Sequence, residues 1–236
     1  MNNRGLRIQL RIVLLVCYAA NLFAQTDKKI TLSFKPVYGN FPLQLNTGVY
    51  NPETNDSIRI ETLKFYISGI EFMNGDKTAW KEESSFHLID ASDAKSLSVS
   101  LTVPATSTFN KLRFSIGIDS VTNVSGVMGD DLDPTKGMYW TWQSGYINFK
   151  LEGKSGACKT ARNEFQLHLG GYQYPFGTCR TVILKTGKEE KQTIVVDIEK
   201  LLATIDFQNQ HHIMSPGKEA VLISNQLPGL FHLSGE

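Results

Sequence analysis

An apolar side chain at every second position recurs along most of this chain, and that period decides what it can fold into. Leu112, Phe114, Ile116 and Ile118 form the cleanest run; Ile30, Leu32 and Phe34, then Leu97, Val99, Leu101 and Val103, then Phe165, Leu167 and Leu169 repeat it. Successive side chains of an extended chain point to opposite faces, so each run describes a strand with one buried face. Glycine, proline and asparagine separate the runs at the spacing of a sandwich or barrel, and the fold expected is mainly β, an antiparallel β-sandwich with one or two short helices. Shorter apolar runs at 43–45, 86–88, 182–184 and 194–198 add strands, and Phe231 with Leu233 reads as a closing edge strand. Ile58 and Ile60 are out of phase with Leu63, Phe65 and Ile67, which predicts a bulge at Glu61-Thr62. Helix signals are few: one short helix over 199–205, and a second over 218–225 with Ser215 as N-cap and Pro216 at the first helical position.

Residues 1–24 read as an export signal. Arg4, Arg7 and Arg11 supply a basic start, 12–20 a short apolar segment, and Leu22-Phe23-Ala24 a small residue before a cut ahead of Gln25. A lipoprotein box at Cys17 fits less well, because Val16 before it is not small. No segment approaches the roughly 18 consecutive apolar residues of a membrane span, so a periplasmic or secreted mature chain over 25–236, folded as one domain, is expected. The leader holds three arginines and no acid, so its loss takes the formal net charge from +1 to −2. No basic stripe is interleaved with aromatics, which argues against nucleic acid as a partner.

Export implies an oxidising compartment, and the mature chain keeps Cys158 and Cys179. A disulfide between them is the expectation; it would close a loop of about twenty residues, for which chain entropy gives roughly 3 kcal/mol. A two-thiolate metal site is the rival, disfavoured because no histidine stands at finger-like spacing.

The stretch 137–151 holds two of the three tryptophans, Trp140 and Trp142. In one extended strand both indoles would project from the same side; such aromatic-rich strands usually pack, and the sharper reading is that the indoles take part in chemistry. Of five histidines, His168 sits at an off-core position of the run 165–169, while His211 and His212 are adjacent, so at most one of that pair shares a site with His168. Imidazoles with a thioether nearby suit copper, and Met138 and Met214 are the candidate soft ligands. Asp130, Asp131 and Asp133 crowd a glycine-containing loop with Asp119 upstream; calcium is the ligand such a cluster brings to mind, but the twelve-residue EF-hand pattern is missing and a solvated turn is the preferred reading. Nucleophile elbow, phosphate loop, paired metalloprotease histidines and dinucleotide fingerprint are all absent, and the chain is expected not to be an enzyme.

The runs 112–119, 132–134, Gly137-Met138-Tyr139-Trp140-Thr141-Trp142-Gln143-Ser144-Gly145-Tyr146, Phe165-Gln166-Leu167-His168-Leu169-Gly170 and Ile213-Met214-Ser215-Pro216-Gly217 together resemble the MbnP-like family, exported copper-binding proteins first linked to methanobactin. The resemblance spans most of the mature chain; its Trp-Thr-Trp-Gln-Ser-Gly core is the specific part and the flanking strands are generic. It implies a β-rich exported protein that holds copper, in which a partner MauG-like di-haem enzyme oxidises a tryptophan to kynurenine and the modified side chain joins histidine at the metal. Carried onto this chain, the tryptophan is Trp140 or Trp142 and the histidine is His168. The stretch 170–179 departs from the compact loop expected of the family. A non-metal extracytoplasmic binding module, using the aromatic strand as a ligand or partner surface, is the alternative.

Overall fold

The structure, a computed structural model, describes residues 27–51, 56–142 and 145–235. The leader and its cleavage point lie outside them. Two sheets face each other. In the smaller, the order is β15 (Phe231–Leu233), β13 (Lys191–Asp197), β1 (Asp27–Tyr38), β2 (Phe41–Pro42), with β7 (Ser98–Pro104) also on β1. In the larger, the order is β12 (Arg180–Lys185), β8 (Lys111–Ile116), β4 (Asp56–Asn74), β10 (Gly145–Ser155), β11 (Glu164–Gly170), β14 (His212–Ile213). The long β4 changes partners along its length, pairing β3 (Gly48–Asn51), β6 (Phe86–Asp90) and β5 (Lys77–Lys81) as well. The sandwich is as expected, with one refinement: β1 runs parallel to β13, and β11 parallel to β14.

Between the sheets the alternating residues interlock. Phe34 and Phe65 meet edge to face at 6.2 Å, Phe65 stacks on Phe149 at 5.8 Å, and Phe231 contacts both Phe65 and Phe114. The expected phase change in β4 is present: Thr62 pairs with Glu152 and Ile60 with Gly153, leaving Glu61 as the extra residue. Phe231 and Leu233 do form an edge strand. Leu43 and Leu45 make no strand; they pack on the core from the loop after β2.

Helices are short. Between β8 and β9 (Tyr139–Trp140) lies α1 (Ser120–Val124), capped by Asp119, whose carboxylate accepts the Thr122 N–H at 2.9 Å. The helix expected over 199–205 is α2 (Ile198–Leu202). The one expected from Ser215 starts later as α3 (Lys218–Ser224), with Gly217 at its N-cap and no side-chain cap, and Pro216 lies against Gly171.

The chain over 117–142 crosses the outer face of the large sheet and closes a second apolar cluster there, built on Tyr66, Ile118, Leu132, Met138, Trp140 and Tyr146. A bulge anchors it. Ile147 pairs with Gly170 and Phe149 with Leu169, so Asn148 is extra, and its buried amide takes the Ile118 N–H and donates to Thr178 Oγ1.

The expected disulfide is not formed; Cys158 and Cys179 are free thiols. Cys158 follows the Ser155 end of β10, whereas Cys179 adjoins Thr178, which is bonded to Asn148 near the other end. Some seven residues of extended chain separate those levels, about 23 Å, while a bridge needs Cα atoms within about 7 Å. Burial pushes both thiols up.

Candidate functional site

On β11, Phe165, Leu167 and Leu169 turn into the inter-sheet core, so Gln166, His168 and Gly170 face the other way. The His168 ring is 5% exposed and its Nε2 lies 2.7 Å from Glu152 Oε1 on β10. This hydrogen bond is the main cause that holds the Glu152 carboxyl down at about 2, with the charge of Lys150, 3.5 Å away, adding to it against the cost of burial. Glu152 is therefore a carboxylate and only accepts, so Nε2 carries the proton. In the neutral ring the lone pair is then on Nδ1. That atom is buried and has no hydrogen-bond partner among the described residues.

Trp140 reaches the same face from β9. Its backbone pairs with Gly145, and its indole lies across Gly170, two positions from His168. A Cβ at Gly170 would stand 2.6 Å from the indole Cζ3 and 2.7 Å from the Tyr146 carbonyl oxygen, which is why this position has no side chain. Trp140 is 5% exposed, and its Nε1 is likewise buried without a partner among the described residues. The strand ends there: the chain turns at 141–142, so Trp140 and Trp142 are not alternate members of one strand. Trp142 is 65% exposed, with its ring 5.8 Å from that of Trp140 at 44°. Of the two indoles, Trp140 is the one near His168.

The adjacent histidines part, His211 in the bend before β14 and His212 at its start. His211 bonds through Nδ1 to the Phe207 carbonyl, and Phe207 packs on Phe165, which places it on the core side. His212 pairs with Gln166 on the His168 face, but it is exposed. Leu167 pairs with Ile213, and carrying this parallel register one residue on sets half-buried Met214 level with His168. Met138 is fully buried in the outer cluster. Among the described residues no three of His, Cys, Asp and Glu group as a metal cage. The donor this face offers is the His168 imidazole nitrogen, with Met214 level with it by extension of the β14 register, and imidazole with a thioether fits copper better than a hard cation.

The acids of the crossing segment serve the fold. Asp131 accepts the Leu88 N–H and pairs with Lys136 at 2.6 Å, Asp133 caps the turn at Thr135, and Asp119 caps α1. The Asp119, Asp131 and Asp133 carboxylates, for which a solvated turn is preferred to calcium, are thus already engaged. Beside Trp140, a pocket of about 290 Å³ is lined by Tyr172, Gln173, Tyr174, Phe176 and Pro216, with Tyr174 fully in solvent. Glu152 had no signal in the sequence, because its partnership with His168 is set by strand register.

The sequence profile of the MbnP family matches residues 27–215. A solved structure, MbnP from Methylosinus trichosporium, superposes with a TM-score of 0.61 at 15% identity, over 84% of this chain and 88% of that one. At such identity the likeness shows a shared fold. No curated protein sequence matches. No helix among the described residues is long and apolar enough to cross a membrane. With the family profile covering most of its length, the chain belongs to the MbnP family.

Proposed function

We propose that this is an exported copper-binding protein, not an enzyme, that holds the metal on the outer face of its large sheet with His168 as the histidine ligand. The observation that carries this reading is the juxtaposition on one face of a buried, unpartnered imidazole nitrogen with the buried indole of Trp140 across Gly170. A buried nitrogen left without a partner costs about 1–3 kcal/mol, and a bound cation relieves it. Trp140, rather than Trp142, is the residue that a MauG-like di-haem enzyme would oxidise to kynurenine, since an indole offers only an N–H whereas kynurenine offers an aryl amine and a ketone that can ligate. Met214, level with His168 by extension of the β14 register, is the candidate soft donor, and the export signal read over 1–24 supports a location outside the cytoplasm. Mass spectrometry of protein exported by its native host, with metal content measured on the same sample, tests this. The peptide carrying Trp140 should be heavier by one oxygen less one carbon, with copper bound, and His168→Ala should release the copper. Unmodified, copper-free protein would overturn it.

The aromatic pocket beside Trp140, with Tyr174 and Phe176 exposed on its lining and Trp142 exposed against the Trp140 ring, favours a second reading, a non-metal binding module. On that reading copper is absent and a ligand shields Trp142 from iodide quenching.

A further inference from the structure

The geometry points to Glu152 as the positioning residue that makes Nδ1, not Nε2, the metal-binding atom of His168. This rests on the copper reading above and adds which nitrogen binds and what fixes it. An imidazole has two nitrogens, and which of them offers a lone pair is decided by the partner of the other. Glu152 is held on three sides. It pairs in the ladder with Thr62 and with Gln166, bonds to the Thr62 side chain, and has Lys150 Nζ 3.5 Å from the oxygen that meets His168. Lys150 is itself anchored to the Gly137 carbonyl at 3.4 Å, the residue that opens the Trp140 segment. The carboxylate therefore cannot swing away without leaving a lysine and a threonine behind. It accepts the hydrogen bond of Nε2–H at 2.7 Å, and the other ring nitrogen, Nδ1, is left with no hydrogen-bond partner among the described residues. Carboxylate-held imidazoles are the common outer-shell device of metal sites, where loss of the carboxylate lowers metal affinity about ten- to a hundredfold.

The test is ¹⁵N NMR of the His168 ring in the purified mature chain, without metal and then with copper(I), which is diamagnetic. The metal-free protein should show the proton on Nε2, and copper(I) should shift Nδ1 while the Nε2 proton stays. In Glu152→Gln the amide can present either its oxygen or its NH₂ to the ring. Both tautomers should then be populated, and copper(I) affinity should fall, by about tenfold or more in Glu152→Ala. Retention of the wild-type tautomer and affinity in either folded variant overturns the proposal, as does a proton on Nδ1 in the metal-free protein or metal at Nε2. Should Glu152→Ala not fold, Glu152→Gln decides alone. If the wild type binds no copper(I), the copper reading falls and this inference with it. If the wild type binds, His168→Ala abolishes binding and the Glu152 variants change nothing, only the inference falls.

Discussion

The two apolar clusters of this protein lie on opposite faces of the same large sheet and are built on different rules. Between the sheets, Phe34, Phe65, Phe114, Phe149 and Phe231 close on one another ring to ring, with aliphatic side chains filling the gaps. On the outer face the rings carry polar atoms. Tyr66 donates to the Asp131 carbonyl, Tyr146 accepts the Met128 N–H, and Asn123 ties the Tyr146 backbone to α1. Burial raises both tyrosine hydroxyl pKa values, so they remain neutral donors. On that face two buried nitrogens, on Trp140 of the cluster and on His168 of β11, have no partner among the described residues. The inner cluster holds the fold and the outer face keeps buried polar atoms unpartnered, which is where a family built on one sandwich can place a function.

The contrast breaks most sharply at Phe65. Phe65→Ala removes a ring that touches Phe34, Phe149 and Phe231 at once and should cost about 3–5 kcal/mol, read by equilibrium denaturation. The folded fraction should still bind copper with the wild-type stoichiometry. A change in stoichiometry would mean that the two faces are coupled.

Gly170→Ala probes the outer face. The new methyl meets Trp140 and the Tyr146 carbonyl at distances real Cβ atoms avoid, so the indole must move. Overpacking of this kind should cost about 1–3 kcal/mol, less than the core deletion, while copper retention falls more steeply than stability does. A variant that loses stability and keeps its metal would separate Trp140 from the site.

Acid reaches the outer face through Glu152. Its folded pKa is depressed from 4.5 to about 2, so it contributes stability above the ordinary value that is lost as the pH falls from there towards 2. The side chain remains 23% exposed and screening by solvent is substantial, so less than about 1 kcal/mol should be involved. Comparing wild type and Glu152→Gln by denaturation between pH 7 and acid reads it, and the two curves should converge as the pH drops. Parallel curves would show that the pairing with His168 does not stabilise the fold.

How far this division could be read from the sequence depends on which periodicity carried the information. The runs at Leu112 and at Ile30 gave strands because alternation is local, and the phase slip near Glu61 gave the bulge for the same reason. His168 was placed off the core by that alternation too. The Glu152 partnership was invisible because it depends on how β10 and β11 register across an Asn148 bulge, and the cysteines were misread because sequence spacing does not report the length of strand between them. The five residues of α1 carry β-branched Val121, Thr122 and Val124, so propensity gave no helix signal there, and the Asp119 cap shows only in the structure. The end of β9 after Trp140 leaves no trace in the stretch 137–151, where aromatic density alone fits one extended strand.

Trp142 is where the smallest effect and the finest distinction meet. It touches Trp140 at 5.8 Å yet is mostly in solvent, so it belongs to the outer cluster by contact and to the surface by exposure. Exposed substitutions away from caps and networks usually stay within about 0.5 kcal/mol, and Trp142→Ala should do so while removing most of the iodide-quenchable fluorescence. Emission from Trp140, shielded over Gly170, should remain and report copper binding by a change in intensity. A loss well above that stability range would make Trp142 a packed member of the cluster. An unchanged stability with Trp140 left unmodified by the native host would assign Trp142 to the surface met by the modifying enzyme.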